Sequence, residues 1–202
     1  RSSIATARRV DPAAYDAYLR GRHFWNKGTR VGLVRAADYF RAAIDRDPTY
    51  APAYAGLADA YALLGTIGYD ALRPDDAMPR PGAAARRALE LDEGLAQAHA
   101  SLGYVKLSFE WDWTGAEAHF TRATAINPAY ATAHYWYGHC LFGMGQMEQA
   151  ARQMQRAQEP DPLSAPCHLG VGSAFYYQRK YDEAIAQYKR THEIAPDLPM
   201  VL

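Results

Sequence analysis

The chain has 202 residues, 49% hydrophobic and 22% charged, the composition of an ordinary folded protein. Its 22 basic and 22 acidic residues cancel, which excludes the electrostatic footprint that nucleic acid or an anionic membrane surface requires. No apolar run approaches the roughly 18 residues of a membrane span, and two cysteines, Cys140 and Cys167, cannot form a disulfide framework and fit a reducing, cytoplasmic setting.

Arg1 to Val10 is polar without an apolar period and reads as a frayed leader. The start at Arg1-Ser2-Ser3 rather than Met, with no signal-peptide pattern, leads us to expect a piece of a longer protein. Asp11-Pro12 is a helix start, with Asp as N-cap and Pro at the first helical position. The helix from Pro12 to about Lys27 carries Ala17, Gly21 and Phe24 on one face. Gly28 to Gly32 is the expected turn, and the partner helix carries Ala36, Phe40 and Ala43 before stopping at Asp47-Pro48. A second pair opens with Tyr54, Leu57, Ala58 and Tyr61. Residues 66–80, with Gly68, Pro74 and Pro79, are an insertion before a partner helix that is expected to start at Pro81 and to run through Ala84 to Leu91.

The third pair has His99, Leu102, Gly103 and Lys106, then Ala116, Phe120 and Ala123, ending at Pro128. Thr114-x-x-Glu117 has capping-box spacing, and Trp111 and Trp113 occupy the turn together with one extra residue. The fourth pair has His134, Tyr137, Gly138 and Leu141 at one-face helical spacing, a Gly143-Met144-Gly145 break, then Ala150, Met154, Ala157 and Pro162. The fifth repeats it slot for slot with His168, Val171, Gly172 and Phe175, then Ala184, Tyr188, Thr191 and Pro196. The prolines at 128, 162 and 196 lie 34 residues apart. Leu198 to Leu202 reads as the opening of a further helix.

A 34-residue period with these slots resembles the tetratricopeptide repeat (TPR), whose pattern is W-x2-L-G-x2-Y, then A-x3-F and a closing P. The resemblance covers about Pro12 to Pro196 as five units, about 12–48, 49–94, 95–128, 129–162 and 163–196, and implies an all-α fold. The expected architecture is a single TPR domain, a right-handed α-α superhelix of five helix pairs. Departures from the pattern are the insertion after Tyr61, the missing proline at Glu93, Lys106 in an aromatic slot, and His where the family often has Trp. More narrowly, AYDAYLRGRHFWNK, AYAGLADAY and RKYDEAI look like the TPR region of large bacterial signalling proteins, where similar repeats follow an adenylate-cyclase-like, winged-helix or protein-kinase segment.

The histidines invite a metal reading, but His99, His134 and His168 share one repeat slot and read as packing residues, while His134 and His139 are too far around the helix to chelate as an i, i+4 pair. Gly170-x-Gly172 is a fragment of a dinucleotide fingerprint with no preceding strand. No Ser/His/Asp grouping, P-loop or HExxH is present. The chain is therefore read as no enzyme, with no metal and no cofactor.

What remains is a surface. Beside the slots that pack each first helix on its partner runs a second stripe: Thr132, Tyr135, Trp136, His139 and Phe142 in the fourth unit, and Ser173, Tyr176 and Tyr177 in the fifth. The third adds Gln97, Ser101 and Tyr104, the second Asp59, and the first Tyr15, Tyr18, Arg22, Trp25 and Asn26. The resemblance implies that this face lines a concave groove where extended peptides or partner helices bind; the alternative reading of each ring is inter-repeat packing. Tyr and Trp suit a docking surface because they offer large contact area at low entropy cost. These slots are aromatic or small rather than Lys, Arg and Asn, which argues against a clamp for acidic tails. The leading expectation is a protein- or peptide-binding scaffold or sensor of a larger bacterial regulator. The alternatives are self-association through Leu198, Met200, Val201 and Leu202, or an accessory region of a cyclase or kinase.

Overall fold

A computed structural model describes residues 10–65, 79–160 and 162–195. Residues 1–9 of the leader, residues 66–78 of the insertion, residue 161 and the segment from Pro196 to Leu202 lie outside the described residues, as do the expectations placed on them. The chain divides into two compact units, Arg1–Glu93 and Gly94–Leu202. The first holds α1 (Pro12–Trp25), α2 (Arg30–Arg46), α3 (Ala51–Leu64) and α4 (Pro79–Leu91); the second holds α5 (Ala96–Val105), α6 (Trp113–Ile126), α7 (Ala131–Gly143), α8 (Met147–Gln158), α9 (Ala165–Tyr177) and α10 (Tyr181–Ile194). Among the described residues there is no strand. Within each unit consecutive helices pack on one another, and the first helices of successive pairs also touch, α1 with α3, α5 with α7 and α7 with α9.

The helices begin and end for local reasons. Asp11 caps α1, its carboxylate accepting from the amides of Ala13 at 2.7 Å and Ala14 at 3.0 Å, with Pro12 in the first turn. At the far end of α2, Asp47 accepts from the Thr49 amide at 3.1 Å and hydroxyl at 2.8 Å, and Asn127 after α6 accepts from the Ala129 amide at 3.1 Å. Three boundaries differ from the sequence reading. Thr29 caps α2 through the Gly32 amide, so Gly32 lies inside the helix rather than in the turn. The fourth helix starts at Pro79, not Pro81. The cap of α6 is Asp112, which accepts from the Gly115 amide at 2.9 Å, while Glu117 instead accepts from the Tyr137 hydroxyl; the Thr114–Glu117 box does not form.

The core repeats one device. In four of the five pairs a large residue from the second helix fills the space left by a glycine on a first helix, while α4 buries Ala84, Ala85 and Ala88 instead. Met154 is fully buried, and a Cβ at Gly138 would stand 2.7 Å from its Cε, one at Gly170 2.7 Å from its Sδ. Phe40 is held the same way between Gly21 and Gly56, and Phe120 against Gly103. Close helix approach at small residues, with a knob from the neighbour, is how such pairs reach interior packing density.

The turn of the third pair is unusual. The extra residue is absorbed as a π-helical segment, Lys106–Glu110, that extends α5, and Trp113 is the first residue of α6 rather than part of a loop. Lys106 closes this segment by reaching Asp112 at 2.7 Å and Glu110 at 3.5 Å. The next residue, Trp111, adopts a left-handed conformation, φ 55°, as do Gly145 (φ 75°) and Arg179 (φ 61°) at the matching positions 34 and 68 residues on. A left-handed residue between paired helices recurs in the repeat, met by glycine at Gly145 and, before α2, at Gly28 (φ 61°), and by strained side chains at Trp111 and Arg179.

Candidate functional site

In the first unit the expected docking residues are largely committed to each other. Tyr18 is half-buried, edge-on to Tyr50 at 5.4 Å and 5.8 Å from Phe40. Burial raises its pKa and pushes that of Tyr50 up to about 12. Asp59, on α3, is fully buried, and Arg22 lies 3.7 Å from its carboxylate and 4.6 Å from the Trp25 ring. Arg22 therefore compensates an internal charge rather than offering a free cation to a partner. Tyr15 and Asn26 remain exposed, at the side and end of α1.

In the second unit the candidates separate into two groups. Trp136 is 3% exposed and lies 4.6 Å from the Tyr104 ring, joining α7 to α5. It occupies the position that is Gly170 in α9, so a bulky residue there must point into the seam between neighbouring first helices. Gln97 is also buried, and Tyr104 and Ser173 are partly so. These are packing residues, which corrects the expectation that Trp136, Gln97 and Asp59 belong to an open wall.

The other group forms a continuous run of rings. Tyr135 meets His139 at 4.7 Å, His139 meets Phe142 at 6.2 Å, and Phe142 crosses from α7 to Tyr177 of α9 at 5.9 Å. Tyr177 meets Tyr176 at 5.7 Å, and Tyr176 meets Tyr181 of α10 at 5.9 Å. Tyr176, Tyr177 and Tyr181 are 53%, 61% and 54% exposed. Tyr181 was not anticipated from the sequence: it opens a second helix, where the repeat pattern assigns no contact face. His139 is exposed between the Tyr135 and Phe142 rings, and loss of hydration beside them pushes its pKa down from 6.5 to about 4, leaving it neutral near pH 7.

Charge is sorted between helices. The sequences of α5, α7 and α9 contain no Asp, Glu, Lys or Arg, whereas α6, α8 and α10 carry all the charged side chains of this unit's helices outside the π segment. The face built from first helices is thus aromatic and uncharged.

The repeated histidines are structural. His134 donates through Nε2 to the Pro128 carbonyl at 2.9 Å, with Nδ1 2.6 Å from the Gln153 side-chain amide. His168 does the same with Pro162 at 2.9 Å and Gln187 at 2.8 Å. In the third pair His119 stands where Gln153 and Gln187 stand, and its Nδ1 lies 3.1 Å from Nδ1 of His99. Each histidine ties a first helix to its partner. Among the described residues no group of three or more His, Cys, Asp or Glu is placed to hold a metal ion. Both cysteines are buried, and burial pushes the Cys140 thiol up to about 11, which makes it inert near neutral pH. Among the described residues no helix is long and apolar enough to cross a membrane.

Residues 111–169 match the model of the tetratricopeptide repeat family. The transcriptional regulator HilA of Salmonella typhimurium is 28% identical over 168 residues, covering 83% of this chain but 30% of HilA, so the chain spans about a third of that relative's length. A thermophilic TPR protein of Thermus thermophilus has the same fold at 16% identity, with a TM-score of 0.72 and coverage of 94% of this chain and 95% of that one. YrrB, described as a TPR protein with an unusual peptide-binding site, aligns at 21% identity and a TM-score of 0.56 over 96% of this chain and 90% of its own.

Proposed function

We propose that this array of tetratricopeptide repeats is a non-catalytic interaction module, the scaffold or sensor part of a larger bacterial regulator, which docks a peptide or protein segment on the aromatic face of its second unit. The observation that carries the reading is the run of six rings from Tyr135 to Tyr181, several of them half exposed, five of them on α7 and α9, which have no charged residues. Exposed rings in a contiguous patch gain nothing for the fold and mark interaction surfaces. Similarity to a transcriptional regulator, over a stretch that is only part of that regulator, supports the regulatory role. The peptide-binding site named for YrrB supports the kind of occupant. In the first unit Tyr15, Tyr18, Arg22, Trp25 and Asn26 contribute at most an edge, because Tyr18 and Arg22 are already engaged.

Selection from a random peptide display library tests the proposal, with wild type and a Phe142→Ala/Tyr177→Ala variant as baits. Peptides enriched on wild type should bind the variant at least about tenfold more weakly, a loss of about 1.4 kcal/mol. Peptides that bind both equally, or no enrichment on wild type, would remove this face as the docking site.

A further inference from the structure

We infer that the segment docked on the ring run is uncharged, extended and proline-rich. This rests on the docking reading above and adds to it the chemistry of the occupant. The first observation is charge: α7 and α9, which present Tyr135, His139, Phe142, Tyr176 and Tyr177, have no Asp, Glu, Lys or Arg in their sequences. A partner carboxylate laid on these rings would lose hydration without gaining an opposite charge from α7 or α9, and an ammonium would gain only the attraction of a ring face in exchange for its hydration. His139 does not supply one near neutral pH, since its surroundings hold it neutral.

The second observation is the shape of the run. Successive rings are turned by 80°, 57°, 57°, 76° and 64°, so neighbours form corners rather than a flat stack. A corner between two ring faces accepts a compact, rigid aliphatic ring better than a flat aromatic one. Spacing agrees: Tyr135 and Phe142 are seven residues apart on one helix, about 10.5 Å of rise. One turn of polyproline II, three residues, covers about 9.3 Å.

The third observation is hydrogen bonding. The exposed hydroxyls of Tyr176, Tyr177 and Tyr181 are donors at the edge of the run. A proline-rich segment offers carbonyl acceptors and few N–H groups, and its conformation is set before it binds, so little entropy is lost on docking.

Fluorescence anisotropy with end-capped synthetic peptides tests this. The reference probe alternates Pro-Pro-Ala triplets. Three relatives replace Pro by Gly, or Ala by Asp, or Ala by Lys, and each is titrated into wild type and into Phe142→Ala/Tyr177→Ala. The reference peptide should bind wild type, and the Gly, Asp and Lys versions should each bind about tenfold more weakly. Equal or tighter binding of the Gly or a charged version, with loss in the variant, overturns the proline-rich assignment and leaves the docking face standing. Binding unaffected by the variant overturns both. Failure of the reference peptide to bind, or sedimentation showing that a second copy covers the face, overturns the inference. Circular dichroism of the variant confirms that lost binding is not lost helix.

Discussion

Replacing Gly138 by leucine probes the packing device that four of the five helix pairs share. A Cβ at this position would lie 2.7 Å from Met154 Cε, 2.9 Å from Cγ and 3.0 Å from Sδ. Alanine alone would gain about 1 kcal/mol of helix propensity over glycine, and the thioether end can swing, so Gly138→Ala is close to balanced. Leucine adds three further carbons to a space that fully buried Met154 already fills. Gly170 closes the other side, where a Cβ would be 2.7 Å from the same sulfur. Overpacking then wins, at a cost of about 1–3 kcal/mol. At about 2–4 °C per kcal/mol for a chain of this length, the melting midpoint falls by roughly 2–12 °C. Circular dichroism melts of Gly138→Leu, Met154→Ala and the double variant complete the test. Met154→Ala alone costs about 2–5 kcal/mol by leaving a cavity. In the double variant the leucine occupies that cavity, so the two losses should fall short of additivity by about 0.5–3 kcal/mol. An unchanged midpoint for Gly138→Leu, or strict additivity in the double variant, would refute the reasoning.

Gly145→Ala should cost about 1–2 kcal/mol although no atom lies within 4 Å of the added Cβ, because the loss is purely that of the left-handed backbone at φ 75°. Arg179→Gly at the matching position should raise stability in the same melts by up to about 1 kcal/mol. His119→Gln recreates the His–Gln pair of the fourth and fifth repeats. Burial first, and His99 second, hold the His119 pKa below 6.5, with Lys106 acting in the same direction and Asp112 and Glu110 opposing. As pH falls through 6.5 the unfolded chain therefore takes up this proton before the folded one, and stability present above that value declines below it. Urea melts at pH 7.5 and pH 5 should show His119→Gln losing less stability between the two than wild type; equal losses would remove the histidine pair from the acid response. Arg22→Ala should destabilise the first unit by more than an exposed arginine would, up to about 3–5 kcal/mol, because Asp59 is fully buried beside it. Adding Asp59→Asn should restore part of the loss in the same urea melts.

Much of the fold was legible because the repeat pattern encodes a packing device rather than a set of propensities. The spacing of Phe120, Met154 and Tyr188, each opposite a small residue, specifies which face of each second helix is buried, and the closing prolines specify the period. The first helices were harder. Tyr135, Trp136 and Tyr137 are consecutive and all aromatic, so apolar periodicity cannot say which ring enters a seam and which stays out. Trp136 is decided by a neighbour, the Tyr104 ring of α5, and that contact is 32 residues away in sequence. The extra residue before Trp111 read as a longer turn, yet the chain absorbs it as a π-helical segment that keeps its backbone hydrogen-bonded. The left-handed slot was visible at Gly28 and Gly145 but not in the third and fifth pairs, because Trp111 and Arg179 occupy the equivalent positions with side chains that disfavour it. The division at Glu93 falls where the closing proline is missing, a departure visible in the sequence that did not by itself announce two units.

The ring run can be exposed because stability is secured elsewhere. In the second unit each second helix supplies one knob to the core, as Met154 and Phe120 do with no exposure at all, and each of the histidines at 134 and 168 ties its first helix to a proline carbonyl and a glutamine. None of these contacts involves Tyr176 or Tyr177. Replacing both tyrosines by alanine removes exposed area and the ring contacts among Tyr176, Tyr177, Phe142 and Tyr181, so stability should fall by about 1 kcal/mol, well short of the roughly 3–5 kcal/mol of a buried aromatic. The same replacement should weaken peptide docking about tenfold or more. A large fall in the midpoint would show these rings to be part of the core, and the uncharged face would then have to be read as buried surface rather than as a place for a partner.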